Sequence, residues 1–138
     1  MTLVREAMVP EPRTLSGDAT AQEAGELLLR PEVRAVFVCE DERLVGVVTR
    51  KTLVREVVAA GRDPRTTPLR EIVEPPNHTV DPDMDVDDAF RFLEEQDLER
   101  VPVTDDGRLV GVLSRSALQR RLAEDEPPAE ESEDQQQV

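Results

Sequence analysis

Two hydroxyl side chains, each followed by an arginine, stand at matching places in the sequence. Thr49-Arg50 and Ser114-Arg115 each follow a run of apolar residues and begin a segment with helical spacing. The N-terminus of a helix carries partial positive charge and free N–H groups, so a hydroxyl and a guanidinium beside it are suited to an anion. The same hydroxyls also suit plain N-caps, and exposed arginines often balance carboxylates, so these interpretations stay open.

A run of alternating acids resembles the start of a calcium-binding loop. Asp81, Asp83 and Asp85 match the first three ligand positions, but Val86 stands where the turn needs glycine and Phe92 where the loop needs its closing glutamate. Acids at the beginning of a helix are favoured by the helix dipole. We therefore interpret the run as a helix start and predict no metal site there.

Two further side chains, His78 and Cys39, are weak candidates for catalytic residues. His78 is the single histidine and has no His or Cys nearby in sequence, so we interpret it as a loop residue. Cys39 lies on a predicted inner strand and is interpreted as a small apolar group rather than a nucleophile. The chain contains no Ser-His-Asp order, phosphate-binding glycine loop or zinc spacing. We predict that the protein is not an enzyme.

The elements that position these residues occur twice. The run RLVGVVTR at 43–50 returns as RLVGVLSR at 108–115, shifted by 65 residues. The same shift aligns roughly 55 positions without a gap, including Pro10 with Pro75, which predicts one structural unit used twice. A unit of that size buries only about 60% of its extended-chain surface. We therefore expect the two repeats to share an interface.

Composition and charge restrict the partners and the compartment. The net charge is −14, and seven of the acidic residues lie in 124–138, which we predict to be an acidic disordered tail. An acidic chain with three Phe and no Trp or Tyr lacks both the charge and the stacking surface for nucleic acid. No apolar stretch approaches the roughly 18 residues of a membrane span. We predict a cytoplasmic protein without a membrane or nucleic-acid partner.

Each repeat contains the order helix, strand, strand, helix. In the first repeat the pattern predicts a helix of about ten residues from Thr20, strands at 35–39 and 44–48, and a helix at 50–60. In the second it predicts a helix at 85–96, extended chain at 101–103, an Asp106-Gly107 hairpin turn, a strand at 109–113 and a helix at 115–122. The domain boundaries are predicted as 1–60 for the first repeat, 61–68 for a linker, 69–123 for the second repeat and 124–138 for the tail.

The element order, the run Val101-Pro102-Val103 and the step Gly-hydrophobic-hydrophobic-Ser/Thr at a strand end together resemble the CBS (cystathionine β-synthase) domain, here as the tandem pair called a Bateman module. The resemblance covers Leu3 to about Leu122. It implies an α/β (α+β) fold of two repeats, each a small three-stranded sheet with helices on one face, packed about a pseudo-twofold axis. It also implies two related clefts, which in many members bind AMP, ATP or S-adenosylmethionine, and association into disc-like dimers.

The resemblance also places candidate ligand contacts on matching positions of the two repeats. The backbone that meets the purine corresponds to Thr14, Leu15, Thr79 and Val80. The apolar walls correspond to Val36, Phe37, Val38, Val101, Pro102 and Val103. The contacts to phosphate or ribose correspond to Thr49, Arg50, Ser114 and Arg115.

One position departs from the family pattern. The family continues Ser/Thr, two residues, Asp, with a carboxylate that accepts hydrogen bonds from both ribose hydroxyls, whereas this chain has Thr52 and Ala117 there. Thr52 offers one neutral bond of about 1 kcal/mol, and loss of a charged acceptor costs roughly 1.5–3 kcal/mol. We therefore expect weakened adenosine binding, most of all at the second site, and a larger effect of Thr49→Ala than of Ser114→Ala.

The sequence thus predicts a regulatory module without a required cofactor. It is expected to sense an adenosine nucleotide or a similar anionic ligand in the cleft between its repeats, to form a homodimer and to signal to a separate, unknown effector protein. The alternative is a ligand-free interaction or dimerisation scaffold, which the residues at positions 52 and 117 favour.

Overall fold

The computed structural model describes residues 1–124, so the predicted tail beyond Glu124 lies outside the described residues. In this part the helices are α1 (Val4–Ala7), α2 (Ala21–Leu27), α3 (Arg50–Leu53), α4 (Val86–Glu95) and α5 (Arg115–Glu124). A π-helical turn (Val54–Val58) continues α3, and a 3₁₀ turn spans Leu69–Glu71. The strands are β1 (Val9–Pro10), β2 (Thr14–Ser16), β3 (Val36–Glu40), β4 (Arg43–Val48), β5 (Arg100–Asp105) and β6 (Arg108–Ser114).

Local chemistry sets the ends of several elements. The hydroxyl oxygen of Thr20 accepts a hydrogen bond from the Glu23 N–H at 3.2 Å and caps α2. Asp106 and Gly107 have φ values of 53° and 84°, as the favoured two-residue hairpin turn requires. Helix α2 ends at Leu27, earlier than its predicted length of about ten residues. The predicted helix at 50–60 is divided, because π-helical geometry begins at Val54.

The strands form two three-stranded groups that join into one curled sheet. In the first group β2 is parallel to β3 and β3 is antiparallel to β4, and in the second β6 is antiparallel to both β1 and β5. The groups meet where Arg43 of β4 lies opposite Arg108 of β6, two positions related by the 65-residue shift. The predicted fold class is confirmed, with the addition that the two sheets are continuous along this edge.

The two repeats exchange their N-terminal segments. Val9 in β1 of the first repeat pairs with Val112 in β6 of the second, and Glu74 of the second repeat pairs with Val47 in β4 of the first. These two pairings map onto each other under the 65-residue shift, so they report a pseudo-twofold axis. Each sheet is therefore completed by chain from the other repeat.

The exchange extends into the hydrophobic cores. The first core contains Ala21, Ala24, Leu28, Val36, Val38, Val48 and Val57, together with Leu69 and Ile72 from the second repeat. The second core contains Val80, Val86, Ala89, Leu93, Val101, Val103, Leu113 and Leu118, together with Val4 from the first repeat. Val4 and Leu69 are equivalent positions and both are fully buried. Each core thus includes apolar surface that the other repeat supplies.

Candidate ligand-binding cleft between the repeats

Two cavities related by the pseudo-twofold axis lie between the repeats. The first cavity has a volume of about 400 Å³ and is lined by Val9, Pro12, Arg13, Glu32, Val33, Arg34, Ala35, Phe37, Val47, Arg100, Pro102, Val112 and Ser114. The second has a volume of about 210 Å³ and is lined by Val47, Glu74, Pro75, Pro76, Asn77, His78, Leu98, Arg100, Val101 and Pro102. The first falls in the size range of small-molecule sites, about 300–1,000 Å³.

Strand alternation decides which of the predicted wall residues face the first cavity. Phe37 in β3 and Pro102 in β5 are the middle residues of their triplets, and both line it. Neighbouring side chains on a strand point to opposite faces. Their neighbours therefore face the helices and lie in the cores: Val36, Val38, Val101 and Val103. The prediction that both triplets line the walls is corrected accordingly, with Val101 also reaching the edge of the second cavity.

The rim of the first cavity carries an excess of positive charge. Arg13, Arg34 and Arg100 line it together with a single acid, Glu32. All four side chains are exposed, and within residues 1–124 none of the three guanidinium groups forms a salt bridge. Sequence reasoning missed these arginines because they come from three separate segments and share no motif. They give an acidic chain a local basic surface beside an apolar cavity.

Ser114 is the predicted hydroxyl that lies in the first cavity. It ends β6 on the cavity wall, and its Oγ also accepts a hydrogen bond from the Ala117 N–H at 3.2 Å, as an N-cap of α5 would. Arg115 points elsewhere, because its guanidinium lies 3.7 Å from the carboxylates of both Asp97 and Glu99. The hydroxyl therefore caps α5 and lies on the cavity wall, where its ligand contact stays a prediction, whereas the arginine is engaged in ion pairs.

The equivalent hydroxyls of the first repeat are used inside the protein. Thr49 Oγ1 accepts from the Thr52 N–H at 3.3 Å, and Thr52 Oγ1 accepts from the Thr49 N–H at 3.0 Å. Thr52 also donates to Glu74 Oε1 at 3.1 Å and is fully buried. Neither threonine is among the residues that line the two cavities. The expected larger effect of Thr49→Ala stays untested, but Ser114 is the hydroxyl that reaches a cavity, which favours the opposite order.

Arg50 holds the end of a neighbouring helix. Its Nη2 donates to the carbonyl oxygens of Leu28 and Arg30, at 2.5 Å and 2.9 Å. These carbonyls follow the last turn of α2, where helix geometry leaves acceptors without an intrahelical partner. The structure gives Arg50 this capping role in place of the anion contact predicted for it.

The predicted purine contacts lie next to the cavity wall but not in its lining. They are Thr14, Leu15, Thr79 and Val80. Thr14 is exposed and pairs with Phe37 through β2, and Val80 is buried and donates its N–H to the Pro102 carbonyl at 3.1 Å. Both segments thus run beside a residue that faces the first cavity. A ligand role for them stays a prediction.

The remaining reactive side chains are in ordinary environments. Cys39 is a free, half-buried cysteine, and burial raises the pKa of its thiol, which keeps it protonated at neutral pH. His78 lines the second cavity and packs edge-to-face on Phe92, with ring centroids 5.5 Å apart.

Within the described part of the chain, no group of three or more His, Cys, Asp or Glu side chains is placed to hold a metal ion. No helix among residues 1–124 is long and apolar enough to cross a membrane.

Curated relatives match most of this chain. It is 30% identical over 114 residues to the CBS domain-containing protein YhcV of Bacillus subtilis, covering 83% of this chain and 81% of that protein. It is 29% identical over 125 residues to Hypoxic response protein 1 of Mycobacterium tuberculosis, covering 90% and 87%.

Solved structures of the same kind superpose well. Hypoxic Response Protein I, solved with two coordinated zinc ions, gives a TM-score of 0.75 at 28% identity over 88% of this chain and 99% of the other. CBSX2, solved in complex with AMP, gives 0.72 at 26% identity over 88% and 96%. A hexameric CBS-CP12 protein from bloom-forming cyanobacteria gives a TM-score of 0.64 at 27% identity over 96% of this chain and 80% of the other.

The family model of the CBS domain matches residues 4–59 and again 69–124. The chain therefore belongs to the CBS domain family, as a tandem pair.

Proposed function

We propose that this CBS pair is a regulatory module that binds an adenosine nucleotide or a similar anionic small molecule in the first cavity. One observation carries the proposal. The first cavity, with a volume of about 400 Å³, combines apolar walls formed by Phe37 and Pro102 with a rim of three arginines. The walls suit a flat base, and the guanidinium groups suit phosphate. CBSX2, a relative of the same fold, was solved with AMP. The proposal is for a binding module in the cytoplasm, not an enzyme.

The second cavity is proposed to stay without a nucleotide. It has about half the volume of the first, and Glu74 lines it where the first cavity has Val9. Glu74 is held in place by the hydrogen bond from the buried Thr52 hydroxyl. An acidic residue beside the cavity disfavours a phosphate, and the smaller volume leaves less room for a base. The proposed stoichiometry is one ligand per chain.

The signal is proposed to arise because the ligand touches both repeats. Phe37 and Val47 of the first repeat and Pro102 and Ser114 of the second line one cavity. A ligand that contacts both walls favours the inter-repeat arrangement in which both contacts are made, and so shifts the population of arrangements that a partner protein meets. We further propose a homodimer. Within this family, the CBS-CP12 relative assembles as a hexamer.

The proposal is tested by thermal melting with AMP, ADP, ATP and S-adenosylmethionine, and by calorimetric titration. A ligand present at a hundred times its dissociation constant adds about 2.7 kcal/mol of stability. For a domain of this size that raises the melting temperature by several degrees. We expect a shift with at least one of these compounds and a stoichiometry of one per chain. If none of them shifts the melting temperature, the ligand-free scaffold is the better description.

Restoring the family carboxylate in the second repeat is expected to strengthen adenosine nucleotide binding. Position 117 adjoins Ser114, whose hydroxyl lies on the wall of the first cavity. A carboxylate that accepts from both ribose hydroxyls adds roughly 1.5–3 kcal/mol, so Ala117→Asp should raise the affinity about 10- to 100-fold by calorimetry.

The gain from Ala117→Asp should depend on the ribose. Ala117→Asn is the neutral control and should give a smaller gain, and the 2′-deoxynucleotide should lose most of the difference. A gain of the same size with the 2′-deoxynucleotide would contradict the assigned contact. Thr52→Asp is not an equivalent test, because it would bury a second carboxylate beside Glu74 and weaken the fold.

A further inference from the structure

The basic rim of the first cavity has no counterpart in the second repeat. Arg13, Arg34 and Arg100 form this rim, which we call the arginine rim. The 65-residue shift aligns Arg13 with His78. It aligns Arg34 with an acid, Glu99. All three arginines are exposed, and in the described part of the chain none of them forms a salt bridge. Like charges on one rim repel one another, so carboxylates or phosphates that lie among them stabilise the rim.

The sequence beyond the described residues carries a cluster of acids. Four of the five residues at 130–134 are Glu or Asp, and 125–138 contains no Lys or Arg. We call 130–134 the acidic segment. Residues 1–124 also have a net negative charge, so on average their surface repels such a segment. The arginine rim is a local basic surface on this acidic background, and opposite charge favours contact between the rim and the acidic segment.

The length of the chain allows the acidic segment to reach the arginine rim. Helix α5 begins beside the rim, because Arg115 donates its N–H to the Glu99 carbonyl oxygen at 2.7 Å and Ser114 lines the first cavity. The helix is 10 residues long, about 15 Å, and ends at Glu124. Returning to the rim therefore takes about 15 Å along the helix and roughly 10 Å across one packed layer. The acidic segment stands six to ten residues after Glu124, and an extended chain of that length spans roughly 20–35 Å.

We propose that the acidic segment lies across the arginine rim of the same chain when no ligand is bound. Its carboxylates then occupy the place of the ligand's phosphates, and the segment covers the opening of the first cavity. This contact rests on the ligand site proposed above and adds self-regulation to it. A segment tethered within one chain has an effective concentration in the millimolar range, so weak contacts are sufficient.

The acidic segment is expected to weaken ligand binding, because the ligand must displace it. The observed dissociation constant is the intrinsic constant divided by the fraction of chains whose rim is uncovered. Exposed ion pairs are individually weak, and three of them tethered together should reduce that fraction to about 10–30%. Removing the charges of the segment should therefore tighten nucleotide binding about three- to tenfold. Salt screens exposed charges, so this difference should disappear at high ionic strength.

The first experiment locates the acidic segment by paramagnetic relaxation enhancement in the full chain without ligand. A nitroxide label at Ser132→Cys, with Cys39→Ala so that the label is unique, should broaden the backbone amide signals of the three rim arginines at about 0.1 M salt. About 1 M salt should restore these signals. The same label should broaden them little in a tail variant that lacks four acids: Glu130→Gln, Glu131→Gln, Glu133→Gln and Asp134→Asn.

The second experiment measures ATP binding to the full chain by calorimetric titration. At about 0.1 M salt the tail variant should bind ATP about three- to tenfold more tightly than wild type, and at about 1 M salt equally. A surface variant with the same change in net charge is the control and should change the affinity less than about twofold, because exposed charges away from the site are screened. Its substitutions are at exposed acids that do not line the first cavity: Glu26→Gln, Glu56→Gln, Glu94→Gln and Glu95→Gln.

Three results would overturn the proposed contact. They are a label that broadens no rim signal at about 0.1 M salt, broadening that is lost on dilution and so comes from a second copy, and equal changes of ATP affinity in the tail and surface variants. Failure of the proposed ligand gives a different result. Broadening of the rim signals in a chain that binds no nucleotide supports the contact and contradicts only the nucleotide proposal. Equal ATP binding by wild type and tail variant, without broadening, does the reverse.

Discussion

The Arg100→Glu variant is expected to bind an adenosine nucleotide about a hundredfold more weakly than the wild-type chain. Arg100 begins β5 and lines both cavities, so it stands beside the phosphate in the proposed complex. A hydrogen bond to a charged group contributes about 1.5–3 kcal/mol, and reversing the charge adds repulsion to its loss. Calorimetric titration measures the change, which should shrink in high salt because the rim is exposed.

Arg120→Glu is the matched control for this variant. Arg120 is exposed on α5 and is not among the lining residues of either cavity, yet its reversal changes the net charge by the same amount. If the two variants lost affinity equally, the effect would come from the overall charge rather than from a contact in the cavity. The side chain of Arg100 is exposed, so its reversal should leave the melting temperature of the unliganded chain within a few degrees of wild type.

Local features of this fold could be predicted from the sequence because their causes lie within a few residues. The N-cap at Thr20 needs only a hydroxyl three residues before a free N–H, and the Asp106-Gly107 turn needs only two residues that tolerate positive φ. The sequence duplication also made the twofold symmetry of the fold predictable. A repeat that recurs in register must form similar halves, which the two equivalent cavities display.

The exchange of segments could not be predicted, because it depends on contacts between residues far apart in sequence. Nothing near Val9 indicates that it pairs with Val112 rather than with its own repeat. Which residues line the first cavity also depends on contacts between residues far apart in sequence. Arg13, Arg34 and Arg100 approach one another only after both sheets have formed.

The burial of Thr52 could not be predicted for a related physical reason. Its place in a family motif indicates exposure to a ligand, but the exchanged segment brings Glu74 within 3.1 Å of its hydroxyl. A buried hydroxyl and a nearby carboxylate are both more stable when they are hydrogen-bonded to each other. The pseudo-symmetric partner position holds Ala117, which has no hydroxyl to engage. The two clefts have therefore diverged through side chains on the exchanged segments.

Replacing Gly46 by alanine is expected to lower the free energy of unfolding by about 1–3 kcal/mol. A Cβ atom at position 46 would lie 2.7 Å from the Glu74 carbonyl oxygen and 2.7 Å from Val73 Cβ. Backbone cannot rotate away as a flexible side chain can, so the exchanged segment would have to move. That movement would strain the two main-chain hydrogen bonds between Val47 and Glu74, at 2.9 Å and 3.0 Å.

Gly25→Ala gives the opposite expected sign and serves as the control. Gly25 lies inside α2, and the nearest atom to an added Cβ is Leu53 Cδ1 at an ordinary 3.7 Å. Alanine in a helix interior is favoured over glycine by about 0.5–1 kcal/mol, so this variant should be more stable. Denaturant unfolding of both variants measures the two changes. Alanine restricts the unfolded chain in both variants, so this contribution is the same at the two positions. Stability changes of opposite sign would therefore reflect the close approach of the exchanged segment to Gly46. A Gly46→Ala variant as stable as wild type would contradict that close approach.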